Sequence, residues 1–181
     1  MSQASKRSAN LLGTVGLAVS DRIRAAGEEE LGLGGSAAPA IVALSTYLAD
    51  EPLDVIGRAF GITASAVVRL VDRLEAEGLV RRRPGPDGRR VSVRLTAKGE
   101  RQARLILERR ERELSDVLGV LSAAEREQLT RLHEKLLANL PEDVPAAARV
   151  CRFCDVHACG HYDGRCPVTQ GIDARGLRTP A

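Results

Sequence analysis

Residues 52–95 carry the pattern that most narrows what this chain can fold into. Apolar residues repeat at helical spacing up to Gly61, which interrupts the helix. A second amphipathic helix is predicted over residues 64–77, with Thr63 as its N-cap. Gly78 ends that helix, and two short β-like runs joined by a turn rich in proline and glycine follow. The pattern predicts two helices that meet at a tight turn, followed by a small antiparallel hairpin.

The hairpin is strongly basic, although the whole chain has a formal net charge of only +3. Six arginines against one acid, Asp87, give it a local charge of +5. These arginines are Arg81, Arg82, Arg83, Arg89, Arg90 and Arg94. A basic hairpin directly after a second helix predicts a wing that lies along a DNA backbone, with its tip near the minor groove.

The second helix predicts a surface that reads DNA bases. Its polar face carries Thr63, Ser65, Arg69 and Arg73. Short side chains let a helix come close to the major groove, and an arginine can bond guanine twice. We therefore expect Thr63, Ser65 and Arg69 to read bases. We expect most of the wing arginines to hold phosphates.

These residues resemble the MarR family of winged helix-turn-helix regulators. The resemblance rests on Gly61-Ile62-Thr63, the run from Val67 to Arg82, Asp87-Gly88-Arg89-Arg90 and Leu95-Thr96-Ala97-Lys98-Gly99, within a match over about residues 10–140. It implies a homodimer on a pseudo-palindromic operator in double-stranded DNA, and repression relieved by a small ligand or by oxidation. It also implies that Arg89 enters the minor groove and that Asp87 orients a neighbouring arginine.

The expected fold is mainly α with a small β-hairpin wing, a winged helix-turn-helix with long N- and C-terminal dimerisation helices. We place an N-terminal dimerisation helix in residues 1–35, the winged domain in 36–100, C-terminal dimerisation helices in 101–140 and a cysteine-rich tail in 141–181. The first helix is predicted from Asn10 to Leu31, after a frayed start.

The first and last helices carry apolar stripes. Their members are Leu12, Val15, Val19, Ile23, Leu129, Leu132, Leu136 and Leu140. We expect these stripes to pack against a second copy of the chain, because two-fold DNA readers place their recognition helices one DNA turn apart. The alternative is packing on their own protomer.

All four cysteines lie in the tail, after 150 residues that contain none. They are spaced C-x2-C-x4-C-x6-C, as Cys151, Cys154, Cys159 and Cys166. Closely spaced thiolates favour a zinc site, in which His157 or His161 could replace one ligand. An iron–sulfur cluster remains open. So does a thiol–disulfide switch without metal, if Arg152, Arg165 and the histidines lower a thiol pKa. From about Glu142, we expect the cysteines to be the tail's only organiser.

Composition excludes some classes of function. Aromatic residues make up 2% of the chain, which argues against a stacking platform for single strands. No apolar run approaches the roughly 18 residues of a transmembrane helix. We expect a cytoplasmic transcriptional regulator that is not an enzyme and has no membrane partner. Two alternatives are a thiol oxidoreductase using Cys151 and Cys154, and an interaction module that docks through the tail. The Pro- and Ala-rich segment before Cys151 disfavours the first, and the wing arginines disfavour the second.

Overall fold

The computed structural model describes residues 2–85 and 90–177, which form eight helices and one two-stranded antiparallel sheet. In chain order the elements are α1 (Gln3–Leu31), α2 (Ala37–Leu44), α3 (Leu53–Phe60), α4 (Ala64–Ala76), β1 (Val80–Pro84), β2 (Val91–Leu95), α5 (Ala97–Leu118), α6 (Ala123–Asn139), α7 (Val144–Cys151) and α8 (Pro167–Ala174). The expected fold, mainly α with a hairpin wing, is confirmed. None of the described helices is long and apolar enough to cross a membrane.

Helix α2 is the centre of the core. All of its residues are buried, as expected for a helix that is apolar on every side. Ile56 of α3, Leu74 of α4 and Ile106 of α5 are each at most 1% exposed in the same cluster. Burying each such side chain contributes roughly 1.5–3 kcal/mol. The two helices of the helix-turn-helix are therefore held on a shared core.

Local signals in the sequence set the geometry of α3 and α4. Gly61 adopts a left-handed conformation (φ 64°), which ends α3 and makes the turn. The Thr63 side chain then accepts a hydrogen bond from the Ala66 amide at 3.3 Å and caps α4. Thr96 caps α5 in the same way, accepting from the Gly99 amide at 3.1 Å. Each cap stabilises its helix by about 1 kcal/mol.

The wing is anchored to the core at its base. Strands β1 and β2 pair Arg81 with Arg94 and Arg83 with Ser92. Ser92 is 2% exposed, although it is polar. The tip of the wing, including Asp87 and Arg89, lies outside the described residues, and the roles predicted for that pair stay predictions.

Helix α1 is longer than predicted. It begins at Gln3, so a frayed start up to Asn10 is wrong. Ser2 caps the helix by accepting a hydrogen bond from the Ser5 amide at 3.2 Å. Polar residues without helix breakers then extend the helix into solvent, so it does not need an apolar face to begin there.

The C-terminal segment has more organisation than its cysteines alone, which corrects the expected tail. Asp143 caps α7 and accepts a hydrogen bond from the Ala146 amide at 2.6 Å. Helix α8 lies against α6, where a Cβ on Gly171 would come within 1.9 Å of the Ala138 carbonyl oxygen. Prolines stand in the first turn of both helices, where a missing amide hydrogen is tolerated. The prolines therefore start helices here, rather than marking a linker.

Candidate nucleic-acid interface

The exposed face of α4 is the one predicted to read bases. Ser65 and Arg69 are exposed, whereas Val67 and Leu74 are buried on the opposite side. The hydroxyl oxygens of Thr63 and Ser65 lie 3.2 Å apart at the start of the helix. Within the described parts of the chain, Arg69 makes no ion pair. Its guanidinium is therefore available to an external partner.

Arg73 also lies on α4, but it has a partner inside the protein. Its guanidinium donates to the Gly34 carbonyl oxygen at 2.6 Å, across 39 residues of sequence. This bond ties α4 to the connection between α1 and α2. The guanidinium has five donor hydrogens, so others remain for a further partner.

Two of the wing arginines are neutralised by acids of the winged domain. Arg82 bonds Asp72 at 2.5 Å and also bonds Glu75, which ties β1 to α4. The Arg82 amide donates to Glu75 Oε1 at 3.0 Å, and this bond is the main cause that lowers the Glu75 pKa. Arg94 pairs with Asp50 at 2.5 Å. These contacts position the wing, and their positive charges are offset locally.

The other described wing arginines differ in their surroundings. Arg90 lies 3.8 Å from Asp54 of α3. Arg81 and Arg83 are exposed and form no ion pair with any described residue. Together with Arg69, they are the arginines of this region whose charge the described structure leaves uncompensated.

The four cysteines converge on one place. Cys151 ends α7 and Cys166 caps α8, and both are free, as are Cys154 and Cys159. All four line two adjoining cavities. One cavity, of about 300 Å³, lies beside Tyr47 and α8. The other, of about 830 Å³, opens toward α1 and α5.

The environment of the thiols opposes a reactive thiolate. Burial, and then the nearby Cys166 and Cys159 thiols, raise the pKa of Cys151 to about 12. Burial also raises the pKa of Cys159 to about 12, with Cys154 as its next cause. Without a bound cation, these thiols are protonated at neutral pH. The direction is opposite to the lowered pKa that a thiol–disulfide switch needs.

The four thiols are donors that fit zinc, but their side chains are not oriented toward a common centre. In the described residues, no group of three or more His, Cys, Asp or Glu side chains stands ready to hold a metal ion. The thiols of Cys154 and Cys159 instead point to the carbonyl oxygens of Asp155 at 3.4 Å and Val156 at 3.5 Å. Binding a metal therefore requires these sulfurs to turn inward.

The two histidines named as substitute ligands are placed differently. His161 lines the smaller cavity, and its Nδ1 lies 3.4 Å from the Thr169 hydroxyl. His157 is exposed and lines neither cavity, and its ring centroid lies 5.1 Å from that of Tyr162. His161 is thus the better placed of the two.

No local sequence pattern predicts the contacts between α7 and the helix-turn-helix. Tyr47 donates its hydroxyl proton to the Ala148 carbonyl oxygen at 2.9 Å, across 101 residues. Arg149 donates to the Arg58 carbonyl oxygen at 3.5 Å, across 91 residues. Such pairs leave no local pattern, because they depend on how distant segments pack.

Two helices joined by a tight turn and followed by a basic hairpin make this a winged helix-turn-helix protein. Residues 47–90 match the model of the MarR family. Over these residues, the resemblance to the MarR family seen in the sequence is confirmed. No curated protein sequence matches the chain.

Solved structures share the fold at low sequence identity. The YusO protein from Bacillus subtilis is 21% identical, with 77% of this chain and 99% of that chain covered and a TM-score of 0.59. A MepR mutant from S. aureus, bound to an oligodeoxyribonucleotide, is 20% identical, with coverages of 74% and 97% and a TM-score of 0.55. CouR from Rhodococcus jostii, bound to p-coumaroyl-CoA, is 22% identical, with coverages of 70% and 88% and a TM-score of 0.52.

Proposed function

We propose that this chain is a sequence-specific, double-stranded DNA-binding transcriptional regulator that acts as a repressor. The observation that carries the proposal is an exposed recognition face on α4 beside a basic wing, with Arg69, Arg81 and Arg83 uncompensated by described acids. In this function Thr63, Ser65 and Arg69 read base edges in the major groove, and Arg81 and Arg83 hold phosphates. The structural likeness to a MepR mutant bound to DNA supports the proposal.

The internally paired arginines serve this function indirectly. Arg82 and Arg94 hold the wing against α4 and the core. Arg73 fixes the other side of α4 to the segment after α1. Because a small displacement of the recognition helix changes every base contact, such positioning supports specificity without adding phosphate contacts.

A second copy of the chain completes the DNA-binding unit. Large apolar side chains on α1, on α6 and at the C-cap of α6 are exposed to solvent, including Leu12 (55% exposed), Val15 (55%), Leu132 (53%) and Leu140 (61%). Burial of exposed apolar surface stabilises an assembly by roughly 25 cal/mol per Å². A homodimer joined through α1 and α6 buries this surface and presents two recognition helices to a pseudo-palindromic operator.

A small-molecule response fits the larger cavity, which lies between α1, α5, α6 and the cysteine segment. The likeness to CouR, which was solved with a CoA thioester, supports this part of the proposal. A thiol oxidoreductase using Cys151 and Cys154 is disfavoured, because both half-buried thiols have raised pKa values. We infer that the protein is a regulator and not an enzyme. We propose that it acts on DNA in the cytoplasm.

In vitro selection of a random duplex pool tests the function. The full chain should enrich an inverted repeat with half-site centres about 34 Å apart, one turn of DNA. Arg69→Ala should still bind DNA but relax the selected sequence at one position in each half-site. Arg126→Ala removes the same charge from an exposed position on α6 and should select the wild-type sequence. A pool that stays unenriched would contradict the proposal.

A further inference from the structure

The segment that carries the cysteines joins two helices that contact different parts of the fold. Helix α7 lies on α3 of the helix-turn-helix, and α8 lies on α6. Cys151 is the last residue of α7, and Cys166 is the cap residue of α8. A bond between those two positions would therefore connect the helix-turn-helix to the C-terminal helices.

Tight turns fold the intervening chain back on itself. The Cys154 amide donates to the Cys151 carbonyl at 2.8 Å, and the Cys159 amide donates to the Asp155 carbonyl at 3.0 Å. The Asp155 carboxylate in turn accepts hydrogen bonds from the His157 amide at 2.9 Å and the Ala158 amide at 3.1 Å. These bonds hold all four cysteines at the edge of the same cavities without a metal.

The donor set of the cluster suits one metal ion. All four cysteines line the same cavity, and four thiolates are the number that a closed tetrahedral zinc site requires. A [4Fe–4S] cluster binds each cysteine through a different iron atom, which spreads the sulfurs further than a single zinc ion does.

A cation already lies beside the cysteine cluster. Arg110 of α5 lines the larger cavity with the four cysteines, and its Nε is buried without a hydrogen-bond partner in the described structure. Zn²⁺ with four thiolates carries a net charge of −2, since four negative charges exceed its two positive ones. The Arg110 side chain is placed to offset part of that charge.

The geometry points to a structural zinc site formed by Cys151, Cys154, Cys159 and Cys166, which fixes α7 against the helix-turn-helix. On binding, the four thiols release their protons to solvent and each sulfur donates an electron pair to Zn²⁺, so no oxidant or reductant is involved. The sulfurs of Cys154 and Cys159 exchange their backbone carbonyl contacts for the metal.

Helix α7 carries the effect of the metal to the DNA-reading unit. Its Ala148 carbonyl accepts the Tyr47 hydroxyl, and its Arg149 bonds the Arg58 carbonyl near the end of α3. The Cδ of Arg149 lies 3.3 Å from the position that a Cβ on Gly61 would occupy. The last turn of α3 and the turn before α4 therefore rest on α7. Resting on the proposed function, the inference is that zinc loss loosens this support and weakens operator binding.

Metal analysis tests the site independently of DNA. The full chain, purified anaerobically, should contain one zinc per chain, and Co²⁺ in its place should give the visible and charge-transfer absorption of tetrahedral thiolate coordination. Cys159→Ser should bind zinc at least about tenfold more weakly in competition with a chelator. His157→Ala, a change on the same loop outside both cavities, should bind like the wild type. Iron with sulfide, or metal-free protein with four titratable thiols that takes up no Zn²⁺ or Co²⁺, would overturn the site.

Hydrogen exchange and DNA titration test the coupling. Amides of α3 should exchange faster in metal-free than in zinc-loaded protein, and operator affinity should fall about tenfold on metal removal. Arg149→Ala should retain zinc but lose most of that dependence. Equal exchange and equal affinity with and without zinc would overturn the coupling. A chain that binds zinc and changes its α3 exchange but never binds DNA would instead contradict only the proposed function.

Discussion

Arg81 and Arg82 are adjacent in β1 but are expected to contribute to DNA binding in different ways. Arg81 is exposed without an ion pair among described residues, whereas Arg82 bonds Asp72 and Glu75. Each phosphate contact contributes about 0.9 to the slope of log affinity against log salt concentration. Between 50 and 200 mM salt, one phosphate contact therefore accounts for an affinity loss of about 3.5-fold, which disappears when the contact is removed. Arg81→Ala should lower the slope by about 0.9, and Arg82→Ala by less than half of that.

The same two variants should differ in stability in the opposite direction, with Arg82→Ala the less stable. The side chains of Arg82, Glu75 and Asp72 are 29%, 38% and 56% exposed, so solvent screens part of the strength of both ion pairs. Arg82→Ala should lower the free energy of unfolding by about 1 kcal/mol, and Arg81→Ala should leave it almost unchanged. Fluorescence anisotropy over a salt series gives the slopes, and urea unfolding gives the stabilities. A full unit of slope lost in Arg82→Ala, without loss of stability, would refute this assignment.

Three further variants test the packing and the assembly. Gly171→Ala should separate α8 from α6 and lower the melting temperature, because its Cβ would meet the Ala138 carbonyl; Gly13→Ala, with nothing within 4 Å, should not. Ile106→Ala, at a fully buried position, should cost about 2–5 kcal/mol in urea unfolding, with Leu105→Ala, 40% exposed, as the milder control. Leu132→Glu should shift sedimentation from dimer toward monomer, and an unchanged dimer would place the interface elsewhere.

The winged helix-turn-helix was predictable because its signals are local. Gly61 sets the turn, Thr63 and Thr96 cap the helices that follow, and apolar spacing identifies the buried faces. Each of these signals acts within a few residues, and each agrees with the packed structure. The exposed face of α4 follows directly from the same periodicity.

The partners of the charged residues were not predictable in the same way. The sequence does not show which of Arg81 and Arg82 is neutralised, because this depends on the distance of each guanidinium to Asp72 and Glu75 on α4. The order of the C-terminal segment was missed for a related reason. Proline occurs both in linkers and at the starts of helices. Only contacts with the rest of the fold, such as that of Tyr47 with Ala148, show that these prolines start helices.

The most direct test of the account is the specificity ratio of the full chain for DNA. The operator obtained by selection and a scrambled duplex of the same composition would be titrated in parallel at physiological salt. We expect the operator to bind at least about 1,000-fold more tightly than the scrambled duplex. Arg69→Ala should lower this affinity ratio by a larger factor than it lowers the affinity for the scrambled duplex. Equal affinity for both duplexes would contradict sequence-specific recognition by α4.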